Sequence, residues 1–431
     1  MKPSILVSVL LLQALLISAQ SRYQNVMIMQ QSGLNYPPCE PSISISKKDP
    51  SRMVAGAVLR YVSVSTDSGQ TWKTKKMRSR HGVYGDPCIV SDANGRFHYF
   101  HLSDPTGLGW ASPKILDRIV CQSSRRGGKG WTRGSSIGMN HPKDQDKEWV
   151  TYDPVNDQLI ATWTQFDEYN NPSPECQSNI LISVSKKGKT WSETATLSTL
   201  PGNCLDNSGT AEGVTTDVDG DGNIYAVWSI DGKLVMVIGF VDKATGQITG
   251  FSEERVIVDS LANWAFEIPG LGRANGMPII KCDRSGGPNH GTLYVNWADQ
   301  RNGAEDTDIW LIKSADQGKT WSDPIRINND PPGRHQFFTW MDIDQTTGRL
   351  YFVFYDRRNH DDNQTDVYLA KTEDGGETIV NERISERPFD PAKSGFFGDY
   401  NNICVEQGVV RPIWARSDNG KKSIWTAIIS D

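Results

Sequence analysis

The sequence predicts an all-β protein, a seven-bladed β-propeller built of four-stranded antiparallel blades. Three observations carry that prediction. A short hairpin motif recurs six times at nearly constant spacing, a β-rich run recurs seven times in phase with it, and a lone strand near the N-terminus has no unit of its own. A fixed period marks a repeat architecture, in which each unit buries its faces against its neighbours.

The motif is clearest in Ser314-Ala-Asp316-Gln-Gly318-Lys-Thr320-Trp321, and Ser65 to Trp72 matches it at every fixed position. Thr372 to Ile379 is nearly as good. Ser124 to Trp131 keeps the Gly and Trp but has Arg126 in place of Asp, Ser185 to Trp191 is one residue short, and near Phe251 only the phase survives. The motif ends fall at 72, 131, 191, 251, 321 and 379, so one step, of 70, is longer than the others. Short polar side chains bond the local backbone, Gly supplies a positive φ, and Trp staples the turn to the sheet. The motif therefore marks the turn between the outer strands of a blade and carries no chemistry.

The second runs are Met53–Val58, Phe97–Leu102, Leu159–Thr164, Ile224–Ser229, Leu293–Ala298, Leu350–Tyr355 and Val409–Trp414. Seven runs against six motifs leave a last unit of three strands, near 400–405, 409–414 and 423–429. The segment Gln24–Gln30 would supply its fourth strand and close the ring, so that no sheet edge stays open. A six-bladed ring with one irregular unit is the alternative.

Residues 1–20 read as a secretory signal: Lys2, an apolar run from Ile5 to Ile17, and a small-residue site at Ile17-Ser18-Ala19. Residues 21–431 then form one propeller domain that is secreted or periplasmic. No segment is long and apolar enough to span a membrane. The formal charge is −6, from 45 basic and 51 acidic residues, which argues against nucleic acid as a partner. Of seven cysteines, Cys39, Cys88, Cys282 and Cys404 fall in apolar strand segments as buried thiols. Cys176 and Cys204 lie in polar loops and could pair in an oxidising compartment.

The motifs, with Gly291–Asp299 and Phe397-Gly398-Asp399-Tyr400, resemble those of the BNR/Asp-box propellers, the group that includes the sialidases and many sialidase-like secreted proteins. The resemblance implies the propeller and a glycan substrate. It also implies three arginines clamping a sialate carboxylate, a tyrosine nucleophile backed by a glutamate, and an early Arg-Ile-Pro. This chain has no Arg-Ile-Pro, and Cys39-Glu40-Pro41-Ser42 places an acid where the arginine belongs. An acid there repels a carboxylate that guanidiniums would grip.

Inner strands begin at the mouth of the central channel, so their first residues are the site candidates. In order these are Glu40, Asp86, Asp146 with Glu148, Glu212, Asn275, His335 with Gln336, and Asp399 with Tyr400. Converging carboxylates raise one another's pKa values, so one keeps a proton while another stays ionised, as a glycoside hydrolase requires. Asp86 and Glu212 are the expected working pair, with Asp399 and Tyr400 as modulator or nucleophile. Glu40, Asp146, Glu148, His81, His141, His335, Arg301 and Arg357 are expected to bind substrate. Taken one at a time, each acid could instead cap a neighbouring blade.

No cofactor or metal is expected. Ca²⁺ is the one open option, because Asp217-Val-Asp219-Gly-Asp221-Gly222 opens like a calcium loop, although its twelfth position is Trp228. A tight Asx-bonded turn is the other reading of that segment. Three functions follow: a carboxylate-pair hydrolase, a non-catalytic carbohydrate- or protein-binding propeller, and a polysaccharide lyase using His81 or His141. Nothing in the sequence fixes an oligomeric state.

Overall fold

The computed structural model describes residues 22–30, 36–259 and 264–430. The signal segment expected at 1–20 lies outside the described residues. Seven antiparallel sheets form the ring, six of four strands and that of blade 4 of five, where Arg255–Val258 also pairs with the third strand. Blade 1 runs outward from the channel through Ser42–Ile45, Met53–Ala57, Tyr61–Ser65 and Lys73–Lys76. Blades 2 to 6 repeat this order, with inner strands Cys88–Ser91, Asp144–Asp153, Glu212–Val218, Ile279–Cys282 and Gln336–Ile343. Blade 7 comprises Asn402–Glu406, Val409–Asp418 and Lys421–Ser430, and its outermost strand is Gln24–Gln30, with Gln24 opposite Ile428. The second strands are the seven β-rich runs, and the inner strands touch in sequence until the last meets the first. The ring is seven-bladed, closed by the N-terminal strand. No helix among the described residues is long and apolar enough to cross a membrane.

An inner strand pairs along one edge only, and a buried N–H left unpaired costs about 1–3 kcal/mol. Side chains of the preceding blade accept those bonds. Ile43 N donates to Asn402 Oδ1 at 3.1 Å, Ile89 N to Ser42 Oγ at 3.0 Å, Val150 N to Cys88 Sγ at 3.4 Å, and Ile280 N to Thr215 Oγ1 at 3.1 Å. Cys88 is therefore a joint between blades, as is Cys404, which accepts from Ile45 N at 3.4 Å. Cys39, Cys88, Cys121 and Cys282 are buried free thiols, while Cys404 is partly exposed. Cys176 and Cys204 form a disulfide.

The hairpin motifs join third to fourth strands at the rim. In the first, Thr71 N and Oγ1 donate to Asp67 at 2.9 and 2.5 Å, and Gly69 N donates to Ser65 Oγ at 2.9 Å. The degraded copies keep the Ser–Gly bond, Gly128 N to Ser124 Oγ at 3.1 Å and Gly188 N to Ser185 Oγ at 2.9 Å. The motif glycine also packs on the preceding blade. A Cβ on Gly128 (φ +80°) would lie 2.7 Å from Val64 and 2.8 Å from Val54. The long step of 70 residues has a direct cause: a two-stranded hairpin, Ala265–Ile268 with Leu271–Asn275, inserted between blades 4 and 5.

Gly128→Ala should lower unfolding free energy by about 2–4 kcal/mol through strained φ and overpacking. Gly130→Ala, whose Cβ meets nothing within 4 Å, should stay within about 0.5 kcal/mol of wild type. Urea unfolding of the two variants tests this pairing.

Candidate active site

Each candidate acid stands where an inner strand begins, and the backbone there is bent on purpose. Glu40 (φ 50°), Asp86 (φ 46°) and Lys147 (φ 52°) are all left-handed. The same bend falls on Gly213 in blade 4 and Phe338 in blade 6. In blades 3, 4 and 6 it coincides with a register shift, between Asp146 and Trp149, Glu212 and Thr215, and Phe337 and Trp340. Such a bulge re-aims side chains, and a non-glycine residue held there stores roughly 1 kcal/mol or more of strain.

The bends bring acids from five blades to one cavity of about 370 Å³. Glu40, Asp86, Asp146, Glu212 and Asp399 line it, together with Asp206, Lys147 and Arg273. Asp399 is the electrostatic anchor. It accepts from Lys147 Nζ at 2.6 Å and from Arg273 Nη2 at 2.5 Å, and its own N–H donates to Glu40 Oε1 at 3.2 Å. Lys147 Nζ also stands 3.9 Å from both Glu40 and Asp86. Arg273, carried by the inserted hairpin, pairs in addition with Asp206, which accepts from Tyr169 OH at 2.7 Å. The Cys176–Cys204 disulfide packs with Tyr169 and Phe166, fixing the loop that presents Asp206. An aromatic wall completes the mouth: Trp110, 59% exposed, stacks on Tyr169 at 5.2 Å and meets Tyr84 edge-on at 6.1 Å.

Two cations among these carboxyls cannot keep all of them ionised. Burial works to raise Asp399, but Lys147 and Arg273 outweigh it and hold the group at about 2. Burial, then repulsion from Asp86, pushes Asp146 up to about 8. Burial also lifts Asp86, with Lys147 pulling it back. Glu212 is raised well above the usual range by burial and by Asp206, and Glu40 by burial and Asp86. The site therefore holds one fixed anion and a set of carboxyls of graded acidity, which is the raw material of acid–base catalysis.

Glu212 differs from its expected role in one respect. It is fully buried, and neither carboxylate oxygen has a hydrogen-bond partner among the described residues. Asp86, with 14% of its side chain exposed, and the half-buried Asp146 face the open cavity instead. Below the mouth a narrow shaft of about 50 Å³ is lined by Glu148, Trp149, Trp340 and Tyr400. Tyr400 OH is buried without a partner, and burial with the nearby Asp86 and Glu40 raises its pKa. Among the described residues no side chain hydrogen-bonds to its hydroxyl.

Five residues expected at the mouth lie elsewhere. His81 packs against Arg118 and Arg80, where burial and those charges lower its pKa. His141 is exposed on a blade 3 loop. His335 bonds Thr307 Oγ1 at 2.9 Å. Arg301 pairs with Asp299 at 2.6 Å and lies over Trp310, and Arg357 donates to Pro269 O at 2.7 Å. All but His141 are consumed by local structure. The Asp217 segment is a turn: Asp219 Oδ1 accepts from Asp221 N and Asn223 N, while Asp217 pairs with Arg284 at 3.0 Å. Sequence reasoning passed over Lys147, Asp206, Arg273, Trp110 and Tyr169. Arg273 had left a signal, since its hairpin is the long step in the motif spacing.

No protein-family model matches the chain, and no curated protein matches it in sequence. Among solved structures it is similar to a protein of unknown function from Dyadobacter fermentans, with TM-score 0.49 and 11% identity over 94% of this chain and 98% of that one. A Hadza microbial sialidase gives 0.48 and 14% over 88% and 73%, and the Penicillium chrysogenum α-L-arabinanase complexed with arabinobiose gives 0.46 and 14% over 81% and 98%. These likenesses bear on neither substrate nor mechanism, and the fold stands on the strand pairing itself.

The raised carboxyls make stability fall with pH, because the folded state binds more protons than the unfolded chain. The loss should run from the unfolded value near 4 up toward 8, the folded value of Asp146. Asp146→Asn should remove part of it. It should be more stable than wild type at pH 8, by on the order of 1–2 kcal/mol, and nearly equal at pH 4. Thermal melts across this range decide the matter.

Proposed function

We propose that the protein is a glycoside hydrolase acting on a neutral glycan. Asp146 serves as general acid, and Asp86 as the ionised partner that activates water or attacks the sugar. The observation behind this is the pairing of two cavity-facing carboxyls that burial raises, one of which, Asp86, has a cation close by to pull it back. Asp146 is pushed up to about 8, while Asp86 has the Lys147 ammonium 3.9 Å away to favour its charge. Asp146 would protonate the departing glycosidic oxygen, and the Asp86 carboxylate would serve the opposite face of the ring. Glu212 acts from below as a neutral neighbour and Asp399 as the fixed counter-charge. The exposed Trp110 face, backed by Tyr169, offers an apolar platform for a sugar ring. An anionic sugar is disfavoured, because Arg273, the arginine lining the cavity, is already bound to Asp206 and Asp399.

Screening neutral polysaccharides and aryl glycosides for new reducing ends tests the proposal. Asp86→Asn should lower kcat/KM by about 10²–10⁴ on every substrate. Asp146→Asn should do so for sugars with poor leaving groups and much less for activated aryl glycosides. Full activity in both variants, or ultraviolet-absorbing unsaturated products, would reject the assignment. Binding without turnover would favour a recognition propeller.

The pH profile of kcat/KM should be bell-shaped, with its alkaline limb near pH 8 from Asp146. Lys147→Met should move the acid limb to higher pH, because Asp86 loses the cation that favours its ionised form.

A further inference from the structure

A second concave site lies on the outer face of blades 2 and 3, and its charge is opposite to that of the mouth. It is a groove of about 690 Å³ whose lining includes Arg80, Arg125, Arg126, Arg133, Lys187 and Lys189 and no acidic residue. None of these six side chains has an ion-pair partner among the described residues, and all six are exposed. In a chain with 51 acidic and 45 basic residues, such a cluster is held together against its own repulsion. The degraded hairpin motifs explain its origin. Arg126 replaces the motif aspartate in blade 2, and Lys187 and Lys189 come from the shortened motif of blade 3. In the intact motifs that aspartate binds the turn backbone, as Asp316 does with Thr320 N at 2.9 Å. The turns here keep their Ser–Gly bond and give up the acid, so the fold is retained while the sign of the rim is reversed. Gly130, Trp131, Gly134 and Gly188 also line it, and the Trp131 Nε1 and Arg96 Nε donors there have no acceptor among the described residues.

We propose that this groove binds a sulfated or uronate-bearing polysaccharide, at a site separate from the mouth and independent of the hydrolytic reading. Guanidinium forks match sulfate and carboxylate, and a groove fed by three chain segments suits an extended chain carrying regularly spaced anions. A membrane surface fits less well. None of the exposed large hydrophobic residues lies among the lining, so nothing is available to insert. A duplex would demand a flatter contact with free aromatic or base-reading groups, and Trp131 is half-buried against Tyr99.

The test compares binding of the full chain to a heparin fragment, to duplex DNA and to phosphatidylserine vesicles at about 0.15 M salt. Heparin should bind at least about tenfold more tightly than either alternative. Arg125→Ser/Arg126→Asp/Lys189→Ser should weaken heparin by at least about tenfold and reduce the salt slope by about one per lost contact. Lys243→Ser, which removes an exposed cation paired with Asp221 on blade 4, should change neither. Arg126→Asp alone, which restores the motif aspartate, should weaken heparin in the same direction at unchanged melting temperature, so a misfolded triple variant would not mask the result. Absence of heparin binding, equal losses in the triple variant and the Lys243 control, or DNA or vesicles binding as tightly as heparin would each overturn the proposal.

Discussion

Every inner strand of this ring has one edge with no sheet partner, and the molecule depends on how that edge is satisfied. Strand pairing ends at the channel, so the exposed N–H groups need acceptors from the neighbouring blade. Asn402, Ser42, Cys88 and Thr215 supply them at equivalent places. The joint between blades is thus a side-chain bond to a backbone donor. It tolerates amide, hydroxyl or thiol, which explains how the inner strands accommodate buried free cysteines. Just before three of these joints a residue lies in the left-handed region: Glu40, Asp86 and Lys147. Their side chains then have nowhere to go but the channel mouth.

That crowding creates the chemistry. Strand-initial acids from separate blades cannot avoid one another, and the two cations sent among them, Lys147 and Arg273, neutralise only part of their charge. Asp399 takes most of both cations and is fixed as an anion. The others share what is left, and their acidities spread according to distance from Lys147 and depth of burial. A graded set of carboxyls is therefore a consequence of closing seven strands, five of them acid-headed, around one axis. The disulfide and the inserted hairpin matter because they deliver Asp206 and Arg273 from outside the repeat.

The rim shows the same fold used in the opposite electrostatic sense. The hairpin motif has two separable halves: a Ser–Gly bond that sets the turn and an Asp–Thr pair that reinforces it. Blades 2 and 3 retain the first half only. Losing the second frees the tip positions for arginine and lysine without altering strand pairing. Degeneracy in a repeat can therefore record a change of surface as well as a relaxation of constraint.

The repeat, the seven second strands and the three-plus-one closure were legible in the sequence, because spacing and apolar alternation report directly on which residues pair. So were the strand-initial acids, Glu40, Asp86, Asp146, Glu212 and Asp399, since inner strands all begin at the same end of the channel. Periodicity could not say which way a side chain turns within a bulge. Lys147, sitting between two acids that drew attention, was missed because only the extra residue between Asp146 and Trp149 swings it into the mouth. His335, Arg301 and Arg357 looked available because sequence shows a residue type and hides its partners. Their commitment to Thr307, Asp299 and Pro269 belongs to the packing. The sequence by itself determined the architecture and the acidic character of its axis. Only the tertiary structure decided which acids meet open space and which are closed in, because burial and distance to Lys147 and Arg273 arise from contacts between blades far apart in the chain.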